Sequence, residues 1–292
     1  MKIKRTKGEM IFQWLNLAVL TALILVTLYP FLHVLYASVS DPAQMTRHQG
    51  VLLWPIGFDL SAYRSVLENP NIALGYRNTL IYVAAGTAIS VLITTLSAYV
   101  LSRKGYLYKK ALTLFAVFTM FFSGGLIPFY LQVQALRLTD TRWALLLPTA
   151  MSTFNLIVMR TSFAGIPDSL EESARIDGAQ DFTILFRIVV PLSLPILAIM
   201  VLFYGVGQWN SWFYGMVFLR RRELYPLQLF LREILILSDT SNMTTGMVTD
   251  REMMGETIKY ATIIVTTVPI LCIYPFLQKY FVKGMMVGAV KE

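Results

Sequence analysis

Apolar and polar positions along the chain are sharply segregated. Six apolar segments stand out, at about 11–36, 78–101, 111–136, 143–159, 191–218 and 259–278, with the charged residues gathered between them. A helix that crosses a bilayer needs roughly 17–25 mostly apolar residues, and all six segments reach that length. Several carry proline, at Pro30, Pro128, Pro148, Pro191, Pro195, Pro269 and Pro275. Membrane bundles accept such kinks where neighbouring groups re-satisfy the freed backbone. No tandem repeat or low-complexity tract interrupts the pattern. It predicts an all-α membrane protein of six transmembrane helices, forming a single transmembrane domain over residues 1–292.

Composition and charge extend this reading. Hydrophobic residues make up 56% of the chain and charged residues 14%, with a mean hydropathy of +0.59, whereas soluble domains are roughly 45–50% apolar and about a quarter charged. The net charge of +8 does not point to nucleic acid, because all the lysines but Lys259 sit at the chain ends and in one short loop. Lys2, Lys4, Arg5 and Lys7 precede the first segment, Arg103, Lys104, Lys109 and Lys110 join the second and third, and Lys279, Lys283 and Lys291 follow the sixth. With six spans these regions share one side, which the positive-inside rule makes cytoplasmic, with both termini inside. A cleavable secretory signal is the other reading of the first segment, but the apolar run is long for one and lacks a clear small-x-small cleavage site. The stretch from about 219 to 258 runs against the charge bias, with Arg220, Arg221, Arg222, Arg232 and Arg251 on the expected external side. Longer external segments escape that bias.

Several function classes lose support. An ion-coupled carrier usually needs an ionisable residue within the membrane, and the cores of the six segments hold none except His33, toward the outer end of the first. Backbone carbonyls could still hold sodium. There is no Gly-rich phosphate cradle ending in Gly-Lys-Ser/Thr, no G-x-S-x-G elbow and no H-E-x-x-H pair. One cysteine, Cys272, and two histidines, His33 and His48, leave neither an internal disulfide nor a zinc-type metal cluster. The glycine pair in "FFSGGLIP" (Phe121–Pro128) reads as a kink or a close packing point in the third segment. No catalytic residue is expected, and the energy source must lie elsewhere.

The stretch "IPDSLEESARIDGAQDFTILFRIVVPLSLP" (Ile166–Pro195) is the most informative. Pro167 followed by Asp168 reads as a helix start, with Asp168 as N-cap and Glu171 as its capping-box partner. Leu170 and Ala174 fall on one face, which Asp177 continues, while Glu171, Glu172 and Arg175 point away from it. Gly178 ends the helix, and "AQDFTILFRIVVP" begins a second one directed back toward the membrane. Periodicity alone allows a docking element or a solvated helical loop.

Glu172-Ser173-Ala174, Asp177-Gly178-Ala179, Ile188 and Pro191-Leu192 resemble the EAA motif of ABC importer permeases, with Ser173 in place of an alanine and Val190 in place of a leucine. "LLWPIGFDLSAYRSVLENP" (Leu52–Pro70) with "RNTLIYV" is similar to the first external segment and second span of maltose-type carbohydrate permeases. "YFVKGMMVGAVKE" (Tyr280–Glu292) resembles the ending of their smaller partner. "LYPLQLFLREIL" (Leu224–Leu235) is similar to the subgroup handling complex oligosaccharides and polysaccharide fragments, including acidic ones.

The resemblance implies a type I ABC importer permease with a cytoplasmic coupling helix in the loop 161–190. Glu171, Glu172, Ser173, Ala174, Asp177, Gly178 and Ala179 would dock an ATPase. It also implies a second, non-identical permease subunit, two cytoplasmic ATPase subunits that bind the ATP and magnesium, and an external solute-binding protein. This chain itself would need no cofactor and no nucleic acid. The location implied is the bacterial inner membrane, as a multi-pass protein among lipid, with its C-terminal tail reaching toward the ATPase dimer interface.

Tyr204, Gln208, Trp209, Asn210 and Trp212, in "FYGVGQWNSWFYGM", combine aromatic faces with amides, which suits a sugar path. An aromatic belt at the outer interface is the other reading of Trp212 and Tyr214, and interhelical hydrogen bonding the other reading of Tyr204, Gln208 and Asn210. Arg220, Arg221 and Arg222 could draw in an acidic saccharide such as an alginate fragment, or pair with Glu223, Glu233, lipid or the binding protein. An ion-coupled secondary carrier, a membrane scaffold and an ABC permease for a non-sugar solute such as a peptide or polyamine stay open as alternatives.

Overall fold

The computed structural model describes residues 7–48, 50–241, 255–272 and 275, and no strand occurs among them. In chain order the helices are α1 (Lys7–Ser38), α2 (Pro42–Arg47), α3 (Ser61–Glu68), α4 (Pro70–Ser102), α5 (Lys109–Phe121) and α6 (Leu126–Ala135). They continue with α7 (Trp143–Leu146), α8 (Thr153–Ala164), α9 (Asp168–Ile176), α10 (Asp181–Ile184), α11 (Val190–Leu192), α12 (Leu194–Trp209), α13 (Phe213–Phe218), α14 (Leu227–Ser241) and a last helix over 255–272. A π-helical turn, Leu185–Val189, runs α10 into α11. Lys2, Lys4, Arg5, Arg251, Lys279, Lys283, Lys291 and the tail Tyr280–Glu292 lie outside the described residues.

Helices α1 and α4 are each long and apolar enough to cross a membrane. Two bent pairs also qualify if each is one broken span: α5 with α6, bent by 120°, and Asp181–Leu192 with α12, bent by 86°. Each break has a chemical origin. Between α5 and α6, Gly125 takes φ +86°, a conformation glycine adopts without steric cost. Among the described residues nothing lies within 4 Å of where its Cβ would sit, so Gly125 works through backbone conformation, while a Cβ on Gly124 would meet Pro128 at 3.5 Å, an ordinary packing contact. The fourth apolar segment is split between α7 and α8, with Pro148 in the gap. Proline cannot donate to the preceding turn, and α8 starts afresh where the Ser152 side chain accepts from the Asn155 amide at 3.5 Å. The fifth segment bends at Ser193 and has Pro195 in the first turn of α12, where its missing N–H costs nothing.

The described residues fall into two compact units, one drawn from Met1–Pro70 with Glu233–Thr267, the other from Asn71–Arg232 with Val268–Glu292. In the first, α1 leaves its apolar length uncovered, with Trp14 and Val26 each 71% exposed. That surface suits hydrocarbon and not water. A small core of Ala37, Met45 and Leu52, with Tyr36, Ile56 and Tyr260, holds the end of α1 to the following loop. The Tyr29 hydroxyl accepts from the Leu52 amide at 3.1 Å, and His33 meets Tyr29 at 3.3 Å and the edge of Tyr260. His33 is thus part of a packed aromatic cluster.

The second unit has two cores, one around Tyr99, Met159, Phe163, Leu185 and Met200, the other around Tyr82, Leu145, Leu146 and Phe218. Helix α4 runs past both and carries a buried, uncharged polar stripe of Asn78, Thr79, Thr87, Ser90, Thr94, Thr95 and Ser102. Its first part clamps the turn before α14. Asn78 donates to the carbonyls of Glu223 (2.7 Å) and Tyr225 (3.1 Å), Tyr82 donates to that of Leu224 (2.7 Å), and Thr79 accepts from the Leu227 amide (2.8 Å). Gly75 makes room for this approach, since a Cβ there would lie 2.9 Å from the Leu227 Cα.

Candidate functional site

Helix α9 belongs to the second unit and closes on a glycine. Gly178 has φ +81°; its amide donates to the Arg175 carbonyl at 3.0 Å, and the Ala179 amide donates to the Ala174 carbonyl at 2.9 Å. This pair of bonds is the Schellman termination, in which the first residue past the cap must be left-handed. Ala174 and Ala179, which flank it, both pack on the Tyr99–Met200 core.

The start of α9 differs from the sequence expectation. The N-cap is Pro167, not Asp168, and no side chain caps the helix. The two acidic groups are engaged elsewhere. Asp168 pairs with Lys104, and Glu171 pairs with Arg103, the two residues that follow α4. Glu171 is consequently buried at 7% exposure, where helical periodicity had it pointing away from the apolar line, and Leu170 is 42% exposed. Arg103 is also fixed by donation to the Phe163 carbonyl at 3.1 Å and by the Tyr99 ring face at 4.9 Å. Burial pulls its pKa below the ordinary guanidinium value. The hydrogen bond with Asp168 raises the Lys104 pKa, and the same bond holds Asp168 below the usual carboxylate range.

Glu172, Ser173, Asp177 and Gly178 remain exposed, and Ile176 projects at 86% exposure. An apolar side chain so bare is suited to meet another protein, and the same helix contributes Glu172 and Arg175 to a groove of about 620 Å³ that Arg103, Lys104 and Asp181 also line. Ile176 and Arg103 were not singled out from the sequence. Nothing in a nine-residue helix says which apolar residue lacks a core to face, and the Arg103–Glu171 contact spans too long a separation for any local pattern.

A second feature is a cavity of about 810 Å³ beside α12, within the same unit. Tyr204, Gln208, Asn210 and Trp212 line it, together with Asn155 and Tyr214. The Tyr204 hydroxyl also joins Thr94 at 2.7 Å and accepts from the Ser152 amide at 3.1 Å, so it bridges three segments while facing the cavity. Gln208 packs on Gly86, where a Cβ would come within 2.8 Å of its Nε2. Asn210 donates to the Val206 carbonyl of its own helix at 3.1 Å. Trp209 lies apart from these. It faces a separate cavity of about 440 Å³ with Thr87 and Gly205, and its buried indole N–H has no hydrogen-bond partner among the described residues.

Of the loop arginines, Arg221 is bound to Asp140 through its side chain at 3.1 Å, and the Asp140 carboxylate also accepts from the backbone amides of Arg220 and Arg221 at 3.0 and 2.9 Å. These bonds, the backbone ones foremost, hold the Asp140 pKa below its ordinary value. Arg222 lies over the Phe230 ring at 5.7 Å.

Apolar helices with a partly polar-lined cavity and a short capped helix with an exposed edge suit a transport subunit, and comparisons with known proteins identify the family. Residues 90–287 match the family of binding-protein-dependent transport system inner membrane components, and the chain belongs to that family. It is a membrane permease of the ABC importer class. It is 41% identical over 288 residues to the polygalacturonan/rhamnogalacturonan transport system permease protein YtcP of Bacillus subtilis (strain 168), covering 96% of this chain and 98% of that one. To protein LplC of the same organism it is 37% identical, covering 98% and 97%. Among solved structures it superposes with a TM-score of 0.86 and 32% identity on a chain from a bacterial ABC transporter involved in the import of the acidic polysaccharide alginate, covering 96% of this chain and all of that one.

Proposed function

We propose that this chain is one of two non-identical permease subunits of a complex that imports oligosaccharide fragments of acidic polysaccharides, six-spanning, with both termini in the cytoplasm. The cluster Arg103, Lys104, Lys109 and Lys110, whose first two members pair with Glu171 and Asp168 of α9, supports a cytoplasmic placement for that helix. Of two ATPase subunits, holding the ATP and magnesium, one docks on the exposed edge of α9 through Glu172, Ser173, Ile176 and Asp177, with Gly178 fixing the end of that helix. An external binding protein delivers the sugar to the opposite end. The observation that carries this reading is the geometry of α9. It is a rigidly capped helix whose exposed edge is free to dock while its inner edge is bolted to α4 through Arg103 and Glu171, so a push on it moves the bundle. The 810 Å³ cavity falls within the size of pockets that hold small ligands, about 300–1,000 Å³, and its aromatic and amide lining suits sugar rings. The names carried by YtcP and by the alginate importer support a uronate-containing substrate.

The test is uptake by proteoliposomes containing the assembled complex, given a labelled galacturonate trimer. Uptake that requires both internal ATP and external binding protein is the expected result. Uptake driven by an ion gradient without ATP would refute the proposal.

A further inference from the structure

Among the described residues, none that lines the 810 Å³ cavity is charged, yet a uronate substrate brings a carboxylate on each acidic ring. The guanidinium that meets its wall is that of Arg232. It lies 4.9 Å from the centroid of the Trp212 ring, and Trp212 lines the cavity. Arg232 sits in α14 just beyond the turn that Asn78, Thr79 and Tyr82 clamp onto α4, so its backbone is anchored. None of the ion pairs among the described residues uses Arg232, whereas Arg221 is engaged by Asp140. A guanidinium lying on a ring keeps its in-plane N–H donors at the edge, where a carboxylate can accept two of them side by side. Arg232 is only partly exposed, which strengthens such a pairing relative to open water.

We propose that Arg232, held on the face of Trp212, is the residue that reads the carboxylate of an acidic sugar unit as it enters the cavity. The proposal rests on the reading of this chain as an oligosaccharide permease. It assigns selectivity for acid to this pair and not to the Arg220–Arg222 run.

The test compares a galacturonate trimer with its fully methyl-esterified form, which keeps the rings and loses the charge. Uptake by proteoliposomes carrying the complete complex is measured over a range of trimer concentrations, for the wild type, Arg232→Gln and Arg232→Lys. The same binding protein is used throughout, so its own preference divides out between chains. The expected result is a fall of about tenfold in the acid-over-ester preference for Arg232→Gln, the scale of one charged hydrogen bond. Ester uptake should be unchanged and the preference partly recovered in Arg232→Lys. Should Arg232→Gln fail to assemble, Arg232→Lys carries the comparison, with a severalfold fall expected because lysine lacks the paired donors. An unchanged preference overturns the proposal. So does an equal fall in acid and ester uptake, which would mean that Arg232 only props Trp212. If the wild type moves neither trimer although its ATP hydrolysis responds to loaded binding protein, the substrate class itself is wrong, and this inference falls with it.

Discussion

Gly178 offers a perturbation whose outcome separates two physical roles. Its φ of +81° is required by the two bonds that terminate α9, and no atom lies within 4 Å of a Cβ placed there. Within this chain, then, the cost of a side chain is conformational. Alanine at a left-handed position costs roughly 1 kcal/mol, asparagine less because it tolerates that region, and valine more because it is β-branched. One kcal/mol is about a fivefold change in the balance between the capped and frayed forms of α9. Hydrogen exchange of the α9 amides and binding-protein-stimulated ATP hydrolysis by the complex should therefore both rank Gly178, then Gly178→Asn, then Gly178→Ala, then Gly178→Val. If instead the ATPase presses directly on Gly178, size governs, and Gly178→Asn becomes worse than Gly178→Ala. That inverted order, with α9 exchange unchanged, would refute the conformational account.

Three other outcomes follow from the geometry. Arg103→Met and Glu171→Met should each destabilise the second unit by about 3 kcal/mol, because each strands a largely buried charge. The double variant should cost less than the sum, and a coupling energy near zero in a chemical-denaturation cycle would contradict the pairing. Gly75→Ala should lower thermal stability more than Gly86→Ala, since the first drives a Cβ into the Leu227 backbone and the second only into the movable Gln208 side chain; overpacking costs about 1–3 kcal/mol where the neighbour cannot yield. The lowered pKa of Asp140 means that its contribution is complete above the ordinary carboxylate value of 3.8 and is lost as the pH falls through the lower folded value. Exchange protection of the Arg220 and Arg221 amides should accordingly hold at pH 5 and fall only below about pH 4, and Asp140→Ala should remove it at every pH.

The parts legible in the sequence were those set by local chemistry. Long apolar runs mark α1 and α4 because hydropathy alone decides whether a helix suits a bilayer. Gly178 marks the end of α9 because few other residues take its backbone angle. The charge-rich start of α9 misled for a physical reason. Asp168 and Glu171 satisfy the local pattern of a capping box, but Lys104 and Arg103, more than sixty residues earlier, compete for both carboxylates and win. The combination of aromatic faces with amides likewise put Trp209 and Trp212 on a common path. The helix ends at Trp209, so the two rings diverge into separate cavities. The Arg232–Trp212 stack was out of reach for the same reason as the Arg103 contact, because residues on different segments have no shared periodicity.

The account stands or falls on whether the exposed edge of α9 is where the ATPase binds. In a Cys272→Ser background, which removes the chain's one cysteine, Ile176→Cys carries a benzophenone maleimide, and the assembled complex is illuminated with and without ATP. The account predicts an adduct with the ATPase subunit whose yield changes when ATP is added. A complex that still transports but gives no ATPase adduct from Ile176→Cys would contradict it.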